Sequence, residues 1–345
     1  MSIQYENIKW YKSALISDIN SSSNGGRMSN IESVTNVKGN AFPDVPQAER
    51  AAGSIKMRKF FLKIESDPSV EMVNNNIFID NPSPGDDYVL LQSTGSYTDT
   101  QNSIDGGTRH YGIGALKTSV SNGATQIVVT MENVGMSASN LQPFHPGDKL
   151  WISNQATISD TGQSEYVTVG GSSGDVSYSG ADVTINIPAG VTYDWTASNV
   201  TPIKVASVIA VDSIKANYAS FTITSAGGTF TQTGNVVLNG YATIDQAWTV
   251  TFTSASAFTL SGDTLGSGIT TGTTGGDLAP NNAAFSKPYF TLKAAGWGGT
   301  YTTGNTITFT THPAAVPYWE KRIVPAGASS IANTGSRVAI SGESA

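Results

Sequence analysis

The residue types able to do chemistry are thinly spread in this chain. Its three histidines, His110, His145 and His312, each stand near glycine or proline in a segment that reads as a turn. Isolated turn histidines serve backbone groups more often than they bind metals. Gly170-Gly171-Ser172-Ser173-Gly174 has the form of a nucleophile elbow. That motif works only where a strand-to-helix turn aims the serine at a histidine, and here a strand pattern, Asp175-Val176-Ser177-Tyr178, follows instead of a helical one. Asp86-Asp87, with Asp99, Asp105 and Asp148, places carboxylates in turns, where they could serve a metal or general acid–base chemistry. None has the Asp-x-Asp-x-Asp-Gly spacing of a calcium hand, and aspartates that accept hydrogen bonds from turn amides account for them, with a loop-bound Ca²⁺ left open. Gly112-Ile113-Gly114 lacks the third glycine and the Lys-Ser/Thr of a phosphate loop and reads as a tight backbone crossing. No catalytic residue, metal ligand or cofactor is assigned from these patterns.

A second kind of site is a contact surface. Glu49-Arg50-Ala51-Ala52-Gly53 precedes Arg58-Lys59, beside Phe60-Phe61, in a chain with only 19 Lys and Arg. The cluster reads equally as a subunit contact or as a solvated strand edge, where lysine guards against aggregation.

The composition points to short strands as the scaffold for these residues. Only 13% of the 345 residues are charged, and no cysteine is present. Gly, Ser, Thr and Asn take the polar positions, as expected where Thr and Val line strand faces and Gly, Asn and Asp make the turns. The lack of cysteine excludes disulfides and thiolate chemistry. A net charge of −7 gives no footprint for general nucleic-acid binding. No apolar run approaches the roughly 18–20 residues of a membrane span, and the first residues lack the pattern of a signal peptide. The chain reads as made and assembled in a cytoplasm.

The expected fold is all-β: about two or three small β-sandwich or barrel-like domains with an extended N-terminal arm and an extended C-terminal tail. Residues 1–53 read as the arm, because they hold few strand patterns and a polar run from Asn20 to Gly26. A β domain follows at 54–116, a sandwich or barrel at 117–212 and a further sandwich at 213–315. In the last of these, Ser261 to Gly276 reads as a flexible loop by its glycine content. Residues 316–345 read as a strand and tail that a partner must order. Trp10, Tyr11, Phe42, Arg50, Arg58, Lys59, Tyr318 and Trp319 are the candidate subunit contacts, since aromatic residues and arginine anchor interfaces.

A resemblance runs through several of these segments. Ala41-Phe42-Pro43-Asp44-Val45, Glu49-Arg50-Ala51-Ala52-Gly53, Arg58-Lys59-Phe60-Phe61, Pro82-Ser83-Pro84-Gly85-Asp86-Asp87, Thr98-Asp99-Thr100-Gln101 and Tyr111-Gly112-Ile113-Gly114 follow one another in the N-terminal third. Pro288-Tyr289-Phe290, Trp297-Gly298-Gly299-Thr300, Thr310-Thr311-His312-Pro313-Ala314 and Val324-Pro325-Ala326-Gly327 resume toward the C-terminus. This order resembles a family of structural virion proteins of Mu-like or contractile-tailed phages. The resemblance implies a neck or collar subunit at the head–tail junction: a ring of about six or twelve copies contacting portal-side and tail-side proteins, with no catalytic residues to carry over. Arm and tail would then add strands to a neighbour's sheet. The alternative is a decoration or host-recognition module presenting the Ser261 to Gly276 loop, or Trp297, to a glycan. A hydrolase would need a convergent carboxylate pair or metal triad, which the spacing does not supply.

Overall fold

Residues 3–35, 37, 39–104, 109–131, 138–332 and 335–345 are described by the computed structural model, so Asp105 lies outside the described residues. Three N-terminal strands, β1 (Ile8–Leu15), β2 (Gly25–Glu32) and β3 (Ser54–Ile64), begin a six-stranded antiparallel sheet. In the sequence of β3, Phe60, Leu62 and Ile64 alternate with Met57, Lys59, Phe61 and Lys63, and the strand is buried on both faces from Met57 onward. Such a strand belongs at the centre of a sheet, with a partner along each edge. One edge pairs with β1, Ile8 opposite Ile64 and Lys12 opposite Phe60. The other pairs along its whole length with Ala315–Val324, from Ala315 opposite Lys63 to Val324 opposite Ser54. A strand near the N-terminus and one from the last tenth of the chain therefore pair with the same central strand.

Two further strands, β4 (Met72–Asn81) and β5 (Tyr88–Ser93), divide the core between them. β5 pairs with Ala315–Val324, and its side chains alternate between two clusters. Val89 and Leu91 join Phe60, Leu62, Tyr318 and Ile77 on the inner face of the central sheet, while Tyr88 and Leu90 join the core of a seven-stranded sheet. That sheet draws all its strands from residues 113–207, with Trp195 and Leu150 at its centre. It meets the central sheet closely at Gly112, where a Cβ would lie 2.9 Å from the Tyr88 hydroxyl and 3.0 Å from Leu90 Cδ2 of β5, so a side chain there would press on both. β4 is the middle of a three-stranded sheet, between Ile209–Ile214 and Arg337–Ser344. A five-stranded sheet uses Asn217–Thr224, Gln246–Phe252, Ala257–Gly262, Gly266–Thr273 and Thr306–His312. It has its own aromatic core of Trp248, Phe252, Phe258, Phe290 and Phe309.

The fold is thus all-β and built of several sheets, as the composition predicts, but three expectations are corrected. Residues 1–53 are not an extended arm: β1 and β2 are integral strands, and Tyr11 is buried. The polar run that suggested an arm forms the hairpin end between them. Residues 316–345 are not a tail awaiting a partner, since Ala315–Val324 is held between β3 and β5 and Arg337–Ser344 pairs with β4. The strand at the start of this segment is as expected, whereas the Gly/Ala/Ser content after Val324 hid the second one, because small residues give little strand periodicity. Residues 261–276 are mostly a hairpin, Ala257–Gly262 against Gly266–Thr273, in which threonine supplies the β preference and Gly266 the positive φ of the turn.

Deleting residues 1–45, expected on the arm reading to leave the β domains folded, strips one edge of β3 and uncovers Phe61. Loss of cooperative thermal unfolding by circular dichroism is the expected outcome; a truncated protein with the melting temperature of the full chain would contradict the pairing described.

Candidate functional site

The sites the sequence marks for chemistry come apart in space or are occupied by structural contacts. Ser172 sits between two strands, where its backbone N–H donates to Asp175 at 2.8 Å. His312 bonds through Nδ1 to Asp245 at 2.6 Å and stacks on Tyr97. His110 lies 3.0 Å from Gln92 Nε2, and burial pushes its pKa down to about 4. Asp148 accepts from the His145 amide and pairs with Arg109. Among the described residues no group of three His, Asp or Glu side chains gathers where a metal could be held. Trp297 is not a displayed aromatic: it packs against Phe230, Phe258 and Phe252.

Of the eight candidate contacts, Tyr11, Lys59, Tyr318 and Trp319 are enclosed within this chain, Tyr318 and Trp319 wholly. They cannot meet a neighbour without unfolding, which corrects that assignment. Trp319 Nε1 donates to Asp99 at 2.9 Å, and Lys59 Nζ bonds to Asp99 and to the Gly26 and Ser96 carbonyls at 3.0 and 3.1 Å. Gly25 is required here, since a Cβ on its positive-φ backbone would stand 2.7 Å from the Trp319 ring. Tyr11 donates to Glu65 at 2.6 Å, and Lys63, 3.2 Å from the same carboxylate oxygen, lies over the rings of Tyr11 and Phe285. Burial pushes Lys63 down to about 8, with Glu65 opposing the shift. Trp10 is half-buried and packs against the inner core.

The remaining three candidates, Phe42, Arg50 and Arg58, lie at or beside one cleft of about 400 Å³, within the range of small-ligand sites. Its walls are the loop 39–45, Arg50 in the short helix Gln47–Ala52, the Asp86-Asp87 turn and residues 328–332. Its floor is the inner face of Ala315–Val324, which presents Glu320 and Arg322. The Arg58 and Arg322 guanidinium groups lie over the Phe42 ring at 5.6 and 4.9 Å. Arg58 is paired with Asp18 and Arg50 donates to the Val45 carbonyl at 2.9 Å. Asp86 accepts from the Ser329 amide at 2.7 Å, and Asp87 accepts from the Ser83 hydroxyl.

Arg322 is 7% exposed, and its Nη1 donates to the Pro43 carbonyl at 2.8 Å, but Nε and Nη2 are buried without a hydrogen-bond partner. Burial lowers its pKa, with Asp87 and Glu49 pulling the other way. Glu320 accepts from the Tyr318 hydroxyl at 3.2 Å, and burial pushes its carboxyl up to about 7, that hydrogen bond opposing. Neither residue was singled out from the sequence. The available signal was Glu320-Lys321-Arg322 inside an otherwise apolar strand, where alternation had to turn two charges toward the core. Chemically, the cleft offers two parallel donors and a carboxyl that changes charge near neutrality.

Because the folded pKa of Glu320 lies above its ordinary value of 4.5, its contribution to stability is complete below about pH 4.5 and is lost as pH rises through 7. A shift of that size corresponds to roughly 3 kcal/mol. His110, held low, acts oppositely: its contribution is present above its ordinary 6.5 and is lost as pH falls through about 4. The useful quantity is therefore the stability of the wild type minus that of Glu320→Gln, measured by urea unfolding from pH 5 to 8. It should fall by about 2–3 kcal/mol over this range, and a flat difference would show that Glu320 is ionised throughout.

No family model, no curated protein and no solved structure matches this chain.

Proposed function

We propose that this chain is a non-enzymatic structural subunit of a tailed-phage particle, forming a homo-oligomeric ring at the head–tail neck. The ring would assemble in the host bacterial cytoplasm and persist in the virion, between portal-side and tail-side proteins. The motif order in the N-terminal third and C-terminal fifth supports the virion part of the reading. The observation that carries the assembly part is the placement of exposed large apolar side chains. Tyr5, Leu15, Ile16, Ile19, Ile31, Val34 and Val37 are all solvent-exposed, Ile19 almost completely at 99%, and all belong to or flank the β1–β2 hairpin. A subunit that works alone gains nothing from such a concentration, whereas one that packs against a second copy covers it. The strand-exchange version of this idea does not survive, because both chain ends are paired internally; association is instead between folded surfaces. Among the described residues no helix is long and apolar enough to cross a membrane.

A second reading, a glycan-binding decoration protein, is favoured by one feature. Thr224, Thr306, Thr251, Thr259 and Thr271 stand opposite one another in a row across all five strands of the five-stranded sheet, giving an uncharged hydroxyl face.

One pair of measurements separates the readings. Light scattering should give a multiple of 36.0 kDa for the wild type and a folded monomer for the combined Ile16→Ser, Ile19→Ser and Ile31→Ser variant. A wild-type monomer at all concentrations would remove the ring, and glycan-array binding lost on Thr251→Lys would favour decoration.

A further inference from the structure

The unpartnered donors of Arg322 lead beyond a purely structural role for the cleft. Nε–H and Nη2–H point to the same side of a guanidinium group, and together they form the fork that takes two coplanar oxygens. The same chain shows that fork filled elsewhere: Arg337 grips Asp80 through Nε at 2.7 Å and Nη2 at 2.8 Å. In Arg322 the equivalent pair is buried and empty-handed, on a residue that lines the cleft. Leaving a charged donor buried and unmatched costs more than a neutral one, so folding alone gives no reason to hold the side chain there. Its position is nevertheless determined, by the Pro43 carbonyl on Nη1 and the Phe42 ring under the guanidinium.

We propose that the Arg322 fork binds a carboxylate-bearing ligand in this cleft. The rest of the lining narrows the class of oxyanion. Asp44, Asp86 and Asp87, with Glu320 on the floor, also line the cleft, against Arg50 and Arg322 as the cations, so a dianionic phosphate or a nucleic-acid backbone would be repelled where a compact monoanion is tolerated. Asp86 and Asp87 are committed to Ser329 and Ser83, and Asp87 acts on Arg322 through its charge without a hydrogen bond to it. The carboxylate comes either from a small organic acid or from an acidic side chain of a second protein; the chemistry at the fork is the same. The inference does not depend on the virion reading, since it rests on Arg322 and its surroundings alone.

The test uses the full chain, labelled with ¹⁵N, and follows the Arg322 Nε–H resonance, assigned by its absence in Arg322→Lys. Sodium acetate, a capped Gly-Asp-Gly peptide, inorganic phosphate and sodium chloride are titrated separately at constant ionic strength. A saturable shift with acetate or peptide, absent with chloride, is the expected result; the tighter of the two identifies a small acid or a protein side chain as the source. Thermal stabilisation by the same ligand should be weakened about tenfold in ligand concentration by Arg322→Lys, which keeps the charge and loses the fork. Should that variant fail to fold, the Nε–H resonance is assigned instead by through-bond correlation from the Arg322 backbone amide in ¹³C,¹⁵N-labelled wild type, and the wild-type titration still decides. No shift with either carboxylate, or tighter binding of phosphate than of acetate, overturns the proposal.

Discussion

Lysine ammonium groups at the centre of a sheet are the constraint around which this protein is arranged. Lys59 and Lys63 both project from one face of β3, and both side chains are fully enclosed. A buried ammonium is tolerated only if its charge and its three donors are matched. The partners come from far apart in sequence: Gly26 in β2, Ser96 and Asp99 after β5, Glu65 at the end of β3 and the Tyr241 carbonyl beside the five-stranded sheet. Meeting these requirements brings the hairpin, the loop after β5 and the five-stranded unit onto one face. The opposite face of β3 is left for the apolar core shared with β4. Further ties reinforce the arrangement, since Arg27 of β2 pairs with Asp245 and Asp263 at 2.7 Å each, and Asp245 also holds His312.

How much of this could be read from the residues follows from the range of each interaction. Local alternation is visible in Met57 to Ile64 and in Thr249 to Phe252, and both are strands. Pairing is not local. Nothing in Trp10-Tyr11 states that they lie beside Phe61 and Leu62, and nothing in Pro317-Tyr318-Trp319 states that they do so from the other side. The same aromatic residues that mark an interface also mark a core, and side-chain type cannot separate the two. Arg58 and Lys59 show the difficulty well: adjacent in sequence, they leave opposite faces of one strand, and only Arg58 reaches the rim of the cleft. Glu320 and Arg322 were hidden for a related reason. Their burial is imposed by the strands on either side, β3 and β5, which no short window contains.

The functional reading and the architecture fit together in one respect. Terminal strands paired within the chain leave an outer hairpin and a cleft that, on the proposed reading, meet other molecules without rearrangement of the core. Rigid surfaces associate without the ordering entropy that a disordered arm must lose. The exposed isoleucines of the hairpin and the arginine fork of the cleft lie on opposite sides of this logic: one offers apolar area, the other directional bonding.

The most direct test of the buried-lysine account is a double-mutant cycle on Lys59 and Asp99 by denaturant unfolding. Asp99→Asn keeps an acceptor for Trp319 Nε1 but removes the counter-charge, and should destabilise the protein by about 3–5 kcal/mol. Adding Lys59→Met should recover most of that loss, because no buried charge then remains. If Asp99→Asn is nearly neutral, or the two effects simply add, the lysine does not organise the fold.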